Sequence, residues 1–171
     1  FLIFTPVLVA QNVQLAQNYF DKGDFEKALI SFDELLKTTP LNPYFFQKKI
    51  DCLQQLQQYE KSENKILERI KVYNTSNLLV ELGYNYQLKK ETEKATKYYN
   101  QAIEKIKKNP NEVYAIAPNF EKKGLLNFAL QSYETATKTN PTFNFNYQMA
   151  MLYGQQGNTD LMVDRLLTES Y

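Results

Sequence analysis

The chain of 171 residues contains no histidine and a single cysteine, Cys52. Without an imidazole neither a Cys-His pair nor a Ser-His-Asp triad can be assembled, and nearly every zinc-binding pattern is excluded. A lone cysteine permits no intrachain disulfide, and its place beside Leu53 and Leu56 on an apolar helix face marks it as a small buried hydrophobe. Glycine is scarce, at five residues, and none forms a phosphate-cradling loop: Gly154 and Gly157 stand at a helix end with two glutamines between them. An excess of one charge is lacking too. The 20 basic and 19 acidic residues leave a net +1, far from the basic stripe of a nucleic-acid binder. No apolar run is long enough to span a bilayer. Neighbouring acids such as Asp21, Asp24 and Glu26 are explained by helix starts and solvated faces, more simply than by a paired acid/base site. The chain is therefore expected to have no enzymatic activity, no cofactor and no metal.

What is present is a period. Small residues recur at Ala28, Ser62, Ala95 and Ala129, with Met162 closing the column, at spacings of 34, 33, 34 and 33 residues. A second column, Ala16, Ile50, Gly83, Ala117 and Ala150, lies twelve residues upstream. Three residues after each of these comes a large side chain, at Tyr19, Leu53, Tyr86, Phe120 and Tyr153. Four further on stand Gly23, Gln57, Lys90, Gly124 and Gly157, where a tight helix-helix turn needs a residue that tolerates positive φ. Phe32, Ile66, Tyr99, Tyr133 and Leu166 follow one helical turn after the first column. A stretch this short cannot bury its own apolar face, so the period implies paired elements stacked on a shared core.

These residues resemble the tetratricopeptide repeat, a pair of antiparallel helices with small residues where they touch. The first unit fits closely, from Leu15 through Ala16, Tyr19, Gly23, Phe25, Ala28 and Phe32 to Pro40; the fourth fits through Ala117, Phe120, Gly124, Ala129, Tyr133, Ala136 and Pro141. The third has Lys90 at the turn and Thr92 where an aromatic is usual, the second is degenerate at Ile50, Gln57, Ser62 and Arg69, and the fifth drifts after Gly157. The implied fold is all-α, a right-handed superhelical solenoid of about five helix-turn-helix units, near residues 9–42, 43–75, 76–109, 110–142 and 143–171. Helices are expected at Gln11 to Lys22, Phe25 to Thr38, Pro43 to Leu56, Tyr59 to Tyr73, Leu78 to Lys89, Glu91 to Lys108, Asn111 to Lys123, Leu126 to Thr139, Phe143 to Gln156 and Thr159 to Ser170. Pro118 falls inside the seventh, where it removes a hydrogen bond, frees the Tyr114 carbonyl and is expected to kink the helix.

Residues 1–10, FLIFTPVLVA, lie outside the period and resemble the end of a secretory signal peptide, with Pro6 counting against a helical cap. Export to a bacterial cell envelope, as a periplasmic protein, is the expectation; if residues 1–10 are not a signal remnant, the location is cytoplasmic. The apolar residues Leu161, Met162, Val163, Leu166 and Leu167 on the last expected helix imply that the array continues beyond residue 171.

The resemblance also implies where a partner would lie, because the first helix of each pair lines a concave groove. The groove residues are then Gln17 in the first unit, Gln47, Lys48 and Asp51 in the second, and Glu81, Tyr84 and Gln87 in the third, followed by Tyr114 and Glu121, then Tyr147, Gln148 and Met151. Such a lining, mostly amide and tyrosine, suits a protein or peptide partner. The Lys, Asn and Arg clamp with which relatives hold an acidic C-terminal tail is absent: Val13, Gln17, Lys48, Asn77 and Glu81 stand there, and Glu81 would repel a carboxylate. The function expected is an interaction scaffold. The alternatives are a sensor segment of a larger protein and, from another class, an RNA-binding array; the lysines from Lys89 to Lys108 are broken by Glu91, Glu93 and Glu104, which argues against the latter.

Overall fold

The computed structural model describes residues 5–73 and 75–168, with side chains from residue 10 onward. Ten α-helices are found among these residues, and no strand: α1 (Thr5–Asp21), α2 (Phe25–Thr38), α3 (Pro43–Gln55), α4 (Tyr59–Val72), α5 (Asn77–Leu88), α6 (Thr92–Lys108), α7 (Val113–Lys122), α8 (Leu126–Thr139), α9 (Asn146–Gln155) and α10 (Thr159–Thr168). They form five consecutive pairs. The chain divides into two compact units, one ending at Arg69 and one beginning at Ile70, so that the division falls inside α4.

The five turns within pairs are built alike. Gly23, Gln57, Lys90, Gly124 and Gly157 hold φ of 77°, 56°, 64°, 70° and 78°. At each, the next residue's N–H reaches the carbonyl five residues back: Asp24 to Tyr19, Gln58 to Leu53, Glu91 to Tyr86, Leu125 to Phe120 and Asn158 to Tyr153, at 2.8 to 2.9 Å. This is the bond that closes a helix on a left-handed residue. Glutamine and lysine thus adopt the conformation that glycine supplies elsewhere at no steric cost.

Local chemistry explains the helix starts. The Asn42 side chain accepts from the N–H groups of Tyr44 and Phe45 at 3.0 and 3.1 Å, with Pro43 at the first helical position, where its missing N–H costs nothing. Helix α2 buries Ala28, Phe32 and Leu35 along one stripe. In the first unit these residues join Ala16, Phe45 and Cys52 in one cluster, in which full burial of Phe32 alone contributes about 2 to 3 kcal/mol. In the second unit Tyr99 is the centre, with its ring 5.4 Å from Phe120 and 4.8 Å from Phe128. Gly83 is required beneath it, because a Cβ there would stand 2.4 Å from Tyr99 Cε1.

Several boundaries differ from the expectation. The first helix begins at Thr5 instead of Gln11, so residues 5–10 continue it; Pro6 does not oppose this, since in the first turn its N–H would have no intrahelical partner. Residues 1–4 and the expected end at Ser170 lie outside the described residues. The fourth pair opens with a 3-10 turn, Pro110–Glu112, on an Asn109 cap, before α7 runs on through Pro118. Helix α9 starts at Asn146 because Phe143 and Phe145 are used in an aromatic cluster instead, and the Asn144 side chain accepts from Asn146 N–H at 3.0 Å.

Candidate functional site

In the first unit the exposed sides of α1 and α3 carry a connected polar network. Gln17 donates to Asp21 Oδ1 at 2.5 Å and accepts a hydrogen bond from the Tyr44 hydroxyl. Burial, with a contribution from Asp21, raises the Tyr44 pKa, so the phenol remains a donor. The Lys48 ammonium sits 3.7 Å from the Phe20 ring centroid and 5.8 Å from that of Tyr44. Gln47 donates to Asp51 Oδ1 at 2.9 Å. A depression of about 630 Å³ is bounded here by Val13, Gln14, Gln17, Asn18, Asp21 and Tyr44. The expected residues Gln17, Gln47, Lys48 and Asp51 are thus brought together on two neighbouring first helices.

In the second unit the expected residues separate into two groups. Glu81, Tyr84 and Gln87 lie on α5, but Glu81 is buried, with its carboxylate 3.1 Å from Lys123 Nζ. Lys123 also stands 4.6 Å from the Tyr84 ring centroid. Glu81 therefore corrects the expectation of a surface charge that repels acidic groups: buried carboxylates persist when paired. Gln87 and Glu121 serve inside their pairs, accepting the hydroxyls of Tyr99 at 2.8 Å and Tyr133 at 2.6 Å. Burial raises both tyrosine pKa values; Tyr84 and Glu81 add to the effect at Tyr99, and the hydrogen bond to Glu121 adds at Tyr133. The second group is open: Tyr114 is 61% exposed, Tyr147 53% and Met151 47%, with Gln148 exposed beside them.

Cys52 is fully buried and its thiol is pushed up to about 12, chiefly by desolvation and then by Asp51, which removes it as a nucleophile at neutral pH. A depression of about 880 Å³ lies along α6, lined by Glu93, Lys97, Glu104, Lys105 and Lys108 among others; no repeat column points to it, and its alternating charges do not make a phosphate track. Two further participants escape sequence reasoning. Tyr44 follows a helix-starting proline, and Lys123 ends a helix; neither position carries a signal of its partner, since both bonds depend on the stacking of successive pairs.

Two family models match parts of the sequence: a tetratricopeptide repeat over residues 12–40 and a prefoldin subunit over residues 46–117. The second range spans α3 to the middle of α7, and there the backbone forms helix pairs closed by the turns at Gln57 and Lys90, as in the rest of the chain. No curated protein matches the sequence. Among solved structures, the chain is similar to TTC0263, a thermophilic TPR protein of Thermus thermophilus, with a TM-score of 0.51 at 17% identity, covering 94% of this chain and 89% of that one. It is also similar to MamA from Desulfovibrio magneticus RS-1, with a TM-score of 0.50 at 12% identity and coverage of 94% and 92%. The chain has the fold of the tetratricopeptide-repeat proteins. Among the described residues, no helix is long and apolar enough to cross a membrane.

Proposed function

We propose that this chain is an interaction scaffold that holds a protein or peptide partner on the first helices of its repeats, after export to a bacterial cell envelope. One observation carries the binding part: the three exposed tyrosines among the described residues, Tyr44, Tyr114 and Tyr147, all lie on first helices. An exposed tyrosine offers large contact area and a polar tip for little conformational entropy, which is why it serves recognition well. The export part rests on the apolar composition of residues 1–10.

Crosslinking mass spectrometry on cells producing the whole protein tests the binding reading. The doubly substituted Tyr114→Ala, Tyr147→Ala protein should stay folded, losing about 1 to 3 kcal/mol with the contacts of Tyr114 to Phe143 and Phe145, and should lose its crosslinked partner. Retention of the partner by this variant and by Tyr44→Ala would defeat the reading. Fractionation with N-terminal sequencing tests export, for which the expected mature chain opens at Gln11; a cytoplasmic protein that keeps residues 1–10 would refute it.

A further inference from the structure

Helix α9 contains no charged residue, and α7 has none from Val113 to Phe120, in a chain that is 23% charged. We infer that the face of α7 and α9 made by Tyr114, Pro118, Tyr147 and Met151 seats an uncharged, extended peptide that contains proline. The inference rests on the scaffold reading above and names the partner's chemistry.

Tyr114 and Pro118 are one turn apart on α7, and Tyr147 and Met151 are one turn apart on α9, at the same two positions of their repeats. All four are exposed. The Tyr114 ring is already braced: Phe143 and Phe145 meet it edge to face, at 5.9 and 5.7 Å between centroids, and meet each other at 5.7 Å. It is held in place yet remains 61% exposed. Pro118 supplies the second element. It has no N–H, so the Tyr114 carbonyl one turn back lacks its normal helical donor and can accept from an incoming backbone. Gln148, also exposed, brings an amide that can donate to a peptide carbonyl.

Charge decides what fits. An ionised side chain seated against two tyrosines, a methionine and a proline would be desolvated beside Glu121, whose carboxylate already accepts the Tyr133 hydroxyl, so the surface selects a neutral segment. Proline fits the rest: its flat ring packs on an aromatic face, and the extended form it imposes is already ordered, with backbone groups left free for outside partners. The corresponding positions of the first unit, Val13, Gln17, Gln47 and Asp51, carry no aromatic ring, so this chemistry belongs to the second unit.

Fluorescence anisotropy on the intact chain tests this with a labelled Ala-Pro-Leu-Pro repeat peptide, the same peptide with alanine at each proline, and a peptide ending in acidic residues. The proline peptide should bind with little change from low to high salt, and the other two should not bind. Tyr147→Ala, at a side chain with half its surface already in water, should weaken binding about tenfold without altering the melt. Pro118→Ala should weaken it several-fold as the new N–H draws the Tyr114 carbonyl back into the helix. Equal binding of the alanine peptide, preference for the acidic one, or indifference to Tyr147→Ala overturns the inference. The scaffold reading survives those results if crosslinking still captures a partner that Tyr44→Ala or the paired tyrosine substitutions release, and falls with the inference if nothing is released.

Discussion

The unit that ends at Arg69 and the unit that begins at Ile70 join their successive helix pairs by different means. In the first, charged groups do much of the joining: Arg69 on α4 donates to the Pro40 and Leu41 carbonyls at 2.6 and 2.9 Å, Lys49 pairs with Asp33 at 2.5 Å, and Lys48 lies over Phe20. In the second, rings do most of it, beside the buried ion pair of Lys123 with Glu81: Tyr99 with Phe120 and Phe128, Tyr133 with Phe145, and Tyr114 with Phe143 and Phe145. The turns within pairs are the same in both. The turn column thus specifies how a pair closes, while the chemistry that joins pairs varies along the chain and in the second unit draws on the column residues Tyr99, Phe120 and Tyr133 themselves.

The largest expected effect tests the ring-joined unit. Gly83→Ala would place a Cβ 2.4 and 2.5 Å from two carbons of the Tyr99 ring. That ring cannot retreat, being packed on Phe120 and Phe128 and tethered through its hydroxyl to Gln87. A loss of about 3 kcal/mol is expected in chemical unfolding. Ala117→Gly, at the same column one repeat on, removes a methyl without a clash and should cost about 1 kcal/mol. If the two substitutions cost the same, Tyr99 is not the rigid centre described.

Arg69→Ala tests the charge-joined unit. It removes two hydrogen bonds to the loop between α2 and α3, and a guanidinium 4.6 Å from the Phe46 ring centroid. About 2 kcal/mol should be lost, and amide exchange should quicken at Asn42, whose N–H bonds to Thr39 in that loop. Arg69→Lys should recover less than half, since a point charge cannot bridge two carbonyls as a planar fork does. Full recovery by lysine would mean that charge alone matters there.

How far these features are legible in the sequence follows the range of the forces. The columns of small residues announce the helix contacts, and the turn column locates five positive-φ residues even where it reads Gln57 and Lys90. Of the residues expected to line a groove in the first unit, Gln17 meets Tyr44 and Lys48 meets Phe20 across α1 and α3, and Gln47 bonds Asp51 one helical turn on. Glu81 is different: period alone puts it on an exposed face, whereas it is buried, with Lys123 of the next pair 3.1 Å from its carboxylate. Arg69 reads as a flaw in a degenerate repeat until the loop beside it is known. The start of α1 at Thr5 is hidden by a proline whose penalty vanishes in a first turn.

The smallest effect concerns what the two units share. Lys90 holds φ of 64° and Gln57 holds 56°, conformations that cost a side-chain-bearing residue about 1 to 2 kcal/mol. Glycine relieves that strain but adds freedom to the unfolded chain, so Lys90→Gly and Gln57→Gly should each raise stability by a net of about 1 kcal/mol or less. Gly124→Ala is the mirror experiment: at φ of 70° an added Cβ meets nothing within 4 Å, so any loss is the backbone strain less the freedom that alanine removes from the unfolded chain, and should match the gains in size. Because Gln57 lies in the first unit and Lys90 in the second, equal gains would mean that turn strain is indifferent to how pairs are joined. A gain at Lys90 with none at Gln57 would mean that the charged contacts of the first unit already hold its turn, and the difference between the units would reach the backbone itself.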